Sequence, residues 1–351
     1  MKANQTDSPL GRLFREKRVL LCVGAGGVGK TTVSAALATA GAMAGRKTVV
    51  VTIDPARRLA DAMGLANLSN EPKLVEGDWP GELWALMLDT KAMFDELVTR
   101  YATDEEQAQR ILNNRYYANI VSVLAGSTEF MAVEKLFDLS EDDYDLIIVD
   151  TPPSSNSLEF VSRPGRLNQF MTSRLKWVIS PPGALKSVST AIKLFLRQAA
   201  KVVGQNVVDD SVAFLQAFEG MEEGFGERAG DVARLLGDKA TSFVLVTSPR
   251  PEPADEARRL GDELRAADKT VAALVVNRVT PDLQVDEDDV DLRLGGVAKA
   301  LADHQRRVRY ESTVIEALKR DLGAGTVAQV PLATNPVADM AGITAIAADL
   351  D

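Results

Sequence analysis

The residues Gly24 to Thr32, Gly-Ala-Gly-Gly-Val-Gly-Lys-Thr-Thr, have the types and spacing needed to hold a polyphosphate. They fit G-x-x-x-x-G-K-[ST] at Gly24, Gly29, Lys30 and Thr31. Glycines let consecutive backbone N–H groups turn inward on phosphate oxygens, and a helix beginning here adds partial positive charge at its N-terminus. The expected cradle is Gly26, Gly27, Val28, Gly29, Lys30, Thr31 and Thr32. Lys30 supplies a full charge for the β- and γ-phosphates, and the Thr31 hydroxyl is the expected Mg²⁺ ligand. The competing reading is a glycine-rich strand-to-helix turn that holds nothing.

Two aspartates extend the same chemistry. Asp54 follows the apolar run Lys47 to Ile53, and Asp150 follows the run Tyr144 to Val149. In open α/β sheets the C-terminal ends of strands are where ligands bind. Asp150 reads as a Mg²⁺ ligand, direct or through water, with Thr151 to Ser157 positioned to sense a γ-phosphate. Asp54 reads as the group that orients or deprotonates an attacking water. A helix N-cap ahead of Pro55 competes for Asp54, and a simple strand-ending turn before Thr-Pro-Pro competes for Asp150.

These side chains need a scaffold, and the hydrophobic pattern supplies one. Strands are expected at Arg18 to Val23, Lys47 to Ile53, Leu83 to Leu88, Tyr144 to Val149, Ser242 to Thr247, Val271 to Val276 and Thr326 to Val330. Helices are expected at Thr32 to Ala44, from Asp89 through Met93, Phe94 and Leu97, at Ala254 to Ala267, at Val297 to Lys319, and at the C-terminus. Strands alternating with helices imply a parallel sheet with right-handed crossovers. The fold class is therefore α/β: a P-loop NTPase with a doubly wound, mostly parallel sheet. Residues 155–236 read as nearly continuous helix broken at Pro164-Gly165, Pro181-Pro-Gly183 and Gly204, an inserted helical subdomain. The expected division is an N-terminal arm at 1–17, an ATPase domain at 18–154 and 237–351, and the insertion at 155–236. His304, inside the long helix, shows no partner in the sequence and reads as a surface or helix-packing residue.

Composition sets outer limits. With 351 residues and 46% hydrophobic content, the chain can bury a sizeable core. No apolar run approaches the roughly 18 residues of a membrane span, and the N-terminus lacks a signal peptide's apolar centre, so a cytoplasmic protein is expected. One Cys and one His leave almost no material for thiolate coordination of zinc or arsenite. Cys22, inside the first strand, reads as a small core residue. A net charge of −10 argues against nonspecific nucleic-acid binding, and no nucleic acid is expected as a partner.

On these residues the chain resembles the ATPase family of the bacterial arsenite-pump ATPase and the guided-entry ATPase of tail-anchored proteins, most closely a bacterial branch. The resemblance runs from about residue 18 to 350 and rests on Gly24 to Thr32, on Asp54-Pro-Ala and on Asp150-Thr-Pro-Pro. It implies hydrolysis of ATP to ADP and phosphate with Mg²⁺, and a nucleotide-sandwiched dimer, either of two copies or of this chain with a paralogue. It also implies an adenine site bordered by Asn277, Pro331 and Leu332. Departures accompany the likeness. The family's signature lysine, which reaches across the dimer, falls at Ala25, and the paired cysteines of both namesakes are absent. Arg57 and Asn156 stand where histidines are usual. Ala25 favours an alternative, a nucleotide-gated binding module with negligible turnover; a positioning ATPase resembling ParA and MinD is a third reading, opposed by the insertion.

One stretch stands out by charge. Residues 160–208 carry Arg163, Arg166, Arg174, Lys176, Lys186, Lys193, Arg197 and Lys201 without an Asp or Glu. Val188, Ile192, Phe195, Ala199 and Val202 recur at helical spacing beside Lys193, Arg197 and Lys201. A lid with solvated charges competes with a docking surface for a protein client or an anionic membrane surface.

Overall fold

Short, continuous apolar runs become strands when a parallel sheet is covered on both faces. The computed structural model describes residues 10–53, 57–114, 117, 128–152, 230–232, 234–284, 295–334 and 337–350. Its strands are β1 (Val19–Val23), β2 (Lys47–Thr52), β3 (Lys73–Val75), β4 (Glu82–Met87), β5 (Leu146–Asp150), β6 (Thr241–Thr247), β7 (Val271–Val279) and β8 (Thr326–Pro331). They form one sheet in the order β3-β4-β2-β5-β1-β6-β7-β8. All neighbours pair parallel except β3, which runs antiparallel to β4 at the edge.

The chain leaves β1 for β2, two places away, and later returns to fill the gap with β5 before passing to β6 on the other side of β1. That reversal of strand order creates a crevice above the carboxyl ends of β1 and β5.

The helices are α1 (Gly11–Glu16), α2 (Lys30–Met43), α3 (Arg58–Ala62), α4 (Thr90–Tyr101), α5 (Glu105–Leu112), α6 (Thr128–Glu141), α7 (Pro251–Ala266), α8 (Gly295–Leu322) and α9 (Met340–Leu350). Side chains alternate across a strand, so one face takes every second residue. Leu20, Cys22, Ile148, Val244 and Val246 join α2 and α9 in one core. The equally buried Leu21, Ile147, Val149 and Leu245 are left for the opposite face. There α7 packs on β6 and α8 on β7.

Two compact units divide the chain. The first comprises Met1–Met87, Leu139–Leu158 and Asp238–Asp351, and contains the whole sheet. Leu10 and Phe14, on either side of the start of α1, are buried in its core. Arg46 ties the same segment to the sheet by donating to the carbonyls of Phe14, Lys17 and Asp145. The second unit comprises Leu88–Asp138 and Glu159–Gly237. Its helix α4 begins where the sequence predicts, with the Asp89 carboxylate accepting from the N–H groups of Lys91 and Ala92 at 2.9 Å each. Met93, Phe94 and Leu97 form the buried stripe of that helix. Residues 153–229, which hold most of the expected insertion and all of the basic stretch, lie outside the described residues. Among the described residues no helix is long and apolar enough to cross a membrane.

Helix α2 lies close to the sheet because its residues are small. A Cβ added at Gly41 would stand 2.7 Å from Leu146 Cδ2 and 2.7 Å from Thr48 Oγ1. Overpacking of this kind costs about 1–3 kcal/mol, whereas alanine gains about 1 kcal/mol over glycine in helix propensity. Gly41→Ala is therefore expected to lower stability by about 1 kcal/mol, read as a lower urea midpoint at unchanged slope. A raised midpoint would mean that Leu146 moves aside without cost.

Candidate functional site

Close approach and backbone twist explain the glycines after β1. A Cβ at Gly24 would lie 2.1 Å from the Val246 carbonyl oxygen of neighbouring β6, so no side chain fits. Gly27 and Gly29 have φ of +75° and +92°, in the left-handed region that favours glycine. Gly26 and Gly27 are exposed at the loop tip, Val28 is buried beneath it, and Thr32 is half-buried in the first turn of α2. Gly29 caps α2 and brings no side-chain acceptor to the N–H groups of its first turn. An N-terminus in this condition suits an anion.

Lys30 is only 6% exposed and turns back over the loop. Its ammonium donates to the carbonyls of Gly24 and Ala25, both at 2.9 Å.

Asp150, 1% exposed, occupies the last position of β5. The register places it level with Thr52 of β2 on one side and Cys22 of β1 on the other. Its Oδ2 accepts from the hydroxyls of Thr31 at 2.8 Å and Thr52 at 2.9 Å, and its Oδ1 accepts from Ser34 at 3.4 Å. A buried carboxylate surrounded by hydroxyl oxygens at the end of a phosphate-type loop is a donor set that fits Mg²⁺. Thr151 turns away from it, its hydroxyl donating to the Cys22 carbonyl at 2.7 Å. Burial, helped by the nearby Asp150 charge, pushes the Cys22 thiol up to about 12 against the lowering effects of Ser34 and Lys30. Cys22 is thus a neutral core thiol, unsuited to nucleophilic or metal chemistry at ordinary pH. No group of three or more His, Cys, Asp or Glu side chains able to hold a metal occurs among the described residues.

The end of β7 closes the other flank. Asn277, 7% exposed, donates from Nδ2 to the Val28 carbonyl at 2.8 Å, so it is fastened to the loop itself. Pro331 pairs with Val279, and the Leu332 N–H donates to the Val279 carbonyl at 2.8 Å, leaving the Leu332 side chain 43% exposed. Thr280, Ser312, Glu316, Gln329 and Pro331 line a cavity of about 280 Å³ here. His304 does have a partner: its Nε2 lies 2.8 Å from the Pro281 carbonyl, tying α8 to the loop after β7. The structure thus brings Lys30, Thr31, Asp150 and Asn277 around one loop, with Pro331 and Leu332 one strand further out. Asp54 lies outside the described residues.

From residue 17 to residue 350 the sequence matches the model of the anion-transporting ATPase family. The chain belongs to that family. Similar proteins include one of Aquifex aeolicus (strain VF5) named for an arsenical pump-driving ATPase activity, 27% identical over 276 residues that cover 77% of this chain and 83% of that protein. An ATPase ASNA1 homolog of Babesia bovis is 26% identical over 316 residues, 87% of this chain and 77% of the relative. The ATPase GET3C of Arabidopsis thaliana is 26% identical over 290 residues, covering 77% and 69%. The chain is an ATPase of this family, and nucleotide use follows from that.

Several residues around the loop escaped sequence reasoning. Thr52 and Ser34 carry no motif of their own; only the level ends of β2 and β5 and the first turns of α2 reveal them. Glu311, 3% exposed in the middle of α8, accepts from the Thr280 N–H at 2.7 Å, the Thr280 hydroxyl at 2.9 Å and Arg307 Nε at 2.8 Å. Burial alone would raise its pKa, but these donors outweigh burial and hold the carboxyl below its ordinary value. A depressed pKa contributes stability that is full above the unfolded value, about 4.3, and is lost as pH falls through the folded one. The stability gap between the parent and Glu311→Gln should accordingly be widest above about pH 4.3 and shrink below it. Denaturant midpoints across that range test this; a gap independent of pH would remove the assigned role of the charge.

Proposed function

We propose that the chain hydrolyses ATP in the cradle Gly26 to Thr32, with Mg²⁺ held by Thr31 and Asp150, as one half of a nucleotide-bridged dimer whose state governs a partner interaction. The observation that carries this reading is the 2.8 Å bond from the Thr31 hydroxyl to the buried Asp150 carboxylate. A hydroxyl so oriented keeps its proton on Asp150 and leaves lone pairs for a cation. Bound there, Mg²⁺ would neutralise charge on the β- and γ-oxygens. Lys30 would exchange two neutral carbonyls for phosphate oxygens, so that its charged donor meets acceptors that are charged as well. Asp54, two residues beyond Thr52, would orient or deprotonate the water that attacks the γ-phosphate. Asn277, Pro331 and Leu332 would border the adenine, with Asn277 donating through the second N–H of its amide.

Lys30→Ala is expected to abolish ATP affinity, because it removes the charge that phosphate replaces carbonyls for. Asp54→Asn is expected to retain ATP yet lose hydrolysis, by a factor on the order of a hundred or more for a general base. Titration calorimetry and phosphate release separate the two, and parental turnover in Asp54→Asn would sink the assignment to that residue.

The partner reading rests on sequence. We assign residues 160–208 to a protein client or an anionic membrane surface, in a protein that is itself cytoplasmic. A segment with eight positive charges and no negative one, inside a chain of net charge −10, should attract acidic surfaces. Reversing Lys193, Arg197 and Lys201 to Glu is expected to leave ATP binding intact while abolishing salt-sensitive binding to vesicles containing phosphatidylserine or to an acidic client. Binding that survives the reversal, or that ignores salt, would return the segment to a solvated lid.

A further inference from the structure

We propose that Arg278 is a positioning residue of the nucleotide site: together with Asn277 it latches two successive peptide planes of the loop so that their N–H groups face the phosphates. The inference rests on the phosphate-cradle reading of Gly24 to Thr32. In a trans peptide the carbonyl and the following N–H point in opposite directions. Arg278 Nη1 donates to the Gly27 carbonyl at 3.0 Å, and Asn277 Nδ2 donates to the Val28 carbonyl at 2.8 Å. Holding those two oxygens toward β7 turns the N–H groups of Val28 and Gly29 the other way. Consecutive N–H groups fixed on one side are what an anion nest requires.

A second observation is independent of the first. Arg278 has φ of +60°, in the left-handed region that only Asp268 and Gln284 share among the described non-glycine residues. The left-handed conformation is unfavourable for a residue with a Cβ, and glycine would adopt it freely. The strained turn is itself braced, because the Arg278 N–H donates to Asn277 Oδ1 at 2.9 Å. That bond needs only backbone, so glycine could make it as well. What an arginine adds at this position is the guanidinium, and the guanidinium is on the loop. Asn277 meanwhile approaches so closely that a Cβ at Gly29 would lie 2.3 Å from its Nδ2. Two adjacent residues of a strand that does not neighbour β1 thereby grip two adjacent residues of the loop.

The latch acts through the backbone, so it should matter equally to ATP and to a ligand with no base. Arg278→Gly is expected to weaken both ATP and inorganic tripolyphosphate by the same factor, about tenfold, the scale of one hydrogen bond from a charged donor. Its melting temperature should be unchanged or higher, because glycine relieves the left-handed strain. Arg278→Lys, which keeps a charged donor, should recover part of the loss. A loss confined to ATP would show that Arg278 acts on the base or ribose and overturn the latch. So would unchanged affinity for both ligands, or a melting temperature that falls together with affinity. A parent protein that fails to bind tripolyphosphate would instead overturn the cradle reading beneath it.

Discussion

A carboxylate taken out of water is costly unless donors surround it, and Asp150 is almost wholly buried where β2 and β5 end level beside β1. Its position is set by strand register. Because β2 and β5 finish level, Thr52 arrives beside the carboxylate, and the loop leaving β1 delivers Thr31 and Ser34 on the first two turns of α2. Slipping β5 by one residue would turn Asp150 to the other face of the sheet, and slipping β2 would do the same to Thr52. Register, the start of α2 and the proposed cation site are therefore one constraint, and the apolar runs that fix the register are as much part of the site as the loop.

Packing restricts the loop as strongly as ligand chemistry does. Gly24 lacks room for a Cβ because of Val246, and Gly29 because of Asn277. Glycine is thus demanded by the protein at these positions before any phosphate is considered. The two demands agree: a loop whose backbone is pressed against β6 and β7 is also a loop whose N–H groups are held in place. Preorganisation of this kind lowers the ordering cost of binding.

The sheet was largely legible because parallel strands buried on both faces leave uninterrupted apolar runs. Val19–Val23, Leu146–Asp150 and Thr241–Thr247 could hardly be anything else. The edge strand Lys73–Val75 was not legible, since it has three residues and two of them are exposed; its pairing comes from β4, not from a pattern of its own. Thr31, next to Lys30, meets Asp150 in a hydrogen bond of 2.8 Å. Thr52, Ser34, Arg278 and Glu311 did not announce themselves, because each is defined by a partner more than 25 positions away in the chain. Asn277 was found by family resemblance as an adenine neighbour, whereas its observed bond is to the loop backbone. His304 likewise gained a partner, Pro281, that no local pattern encodes.

Position 25 departs from the family's pattern in what it touches. Family resemblance puts a lysine there that reaches across a dimer, yet in this chain Ala25 packs its methyl against the core shared by α2 and the sheet. Its carbonyl is occupied as well, accepting from Lys30. Position 25 therefore serves the inside of the loop, and a long cation there would have to abandon that packing to point outward. Among the described residues, Arg278 of β7 brings a positive charge to the loop tip, at the Gly27 carbonyl. A cation fixed by a strand of its own subunit stabilises the loop whether or not a second subunit is present. A cation reaching across a dimer acts only after association. The chain thus carries a loop-ordering charge in cis, and the readiness of the loop to take an anion needs no second subunit.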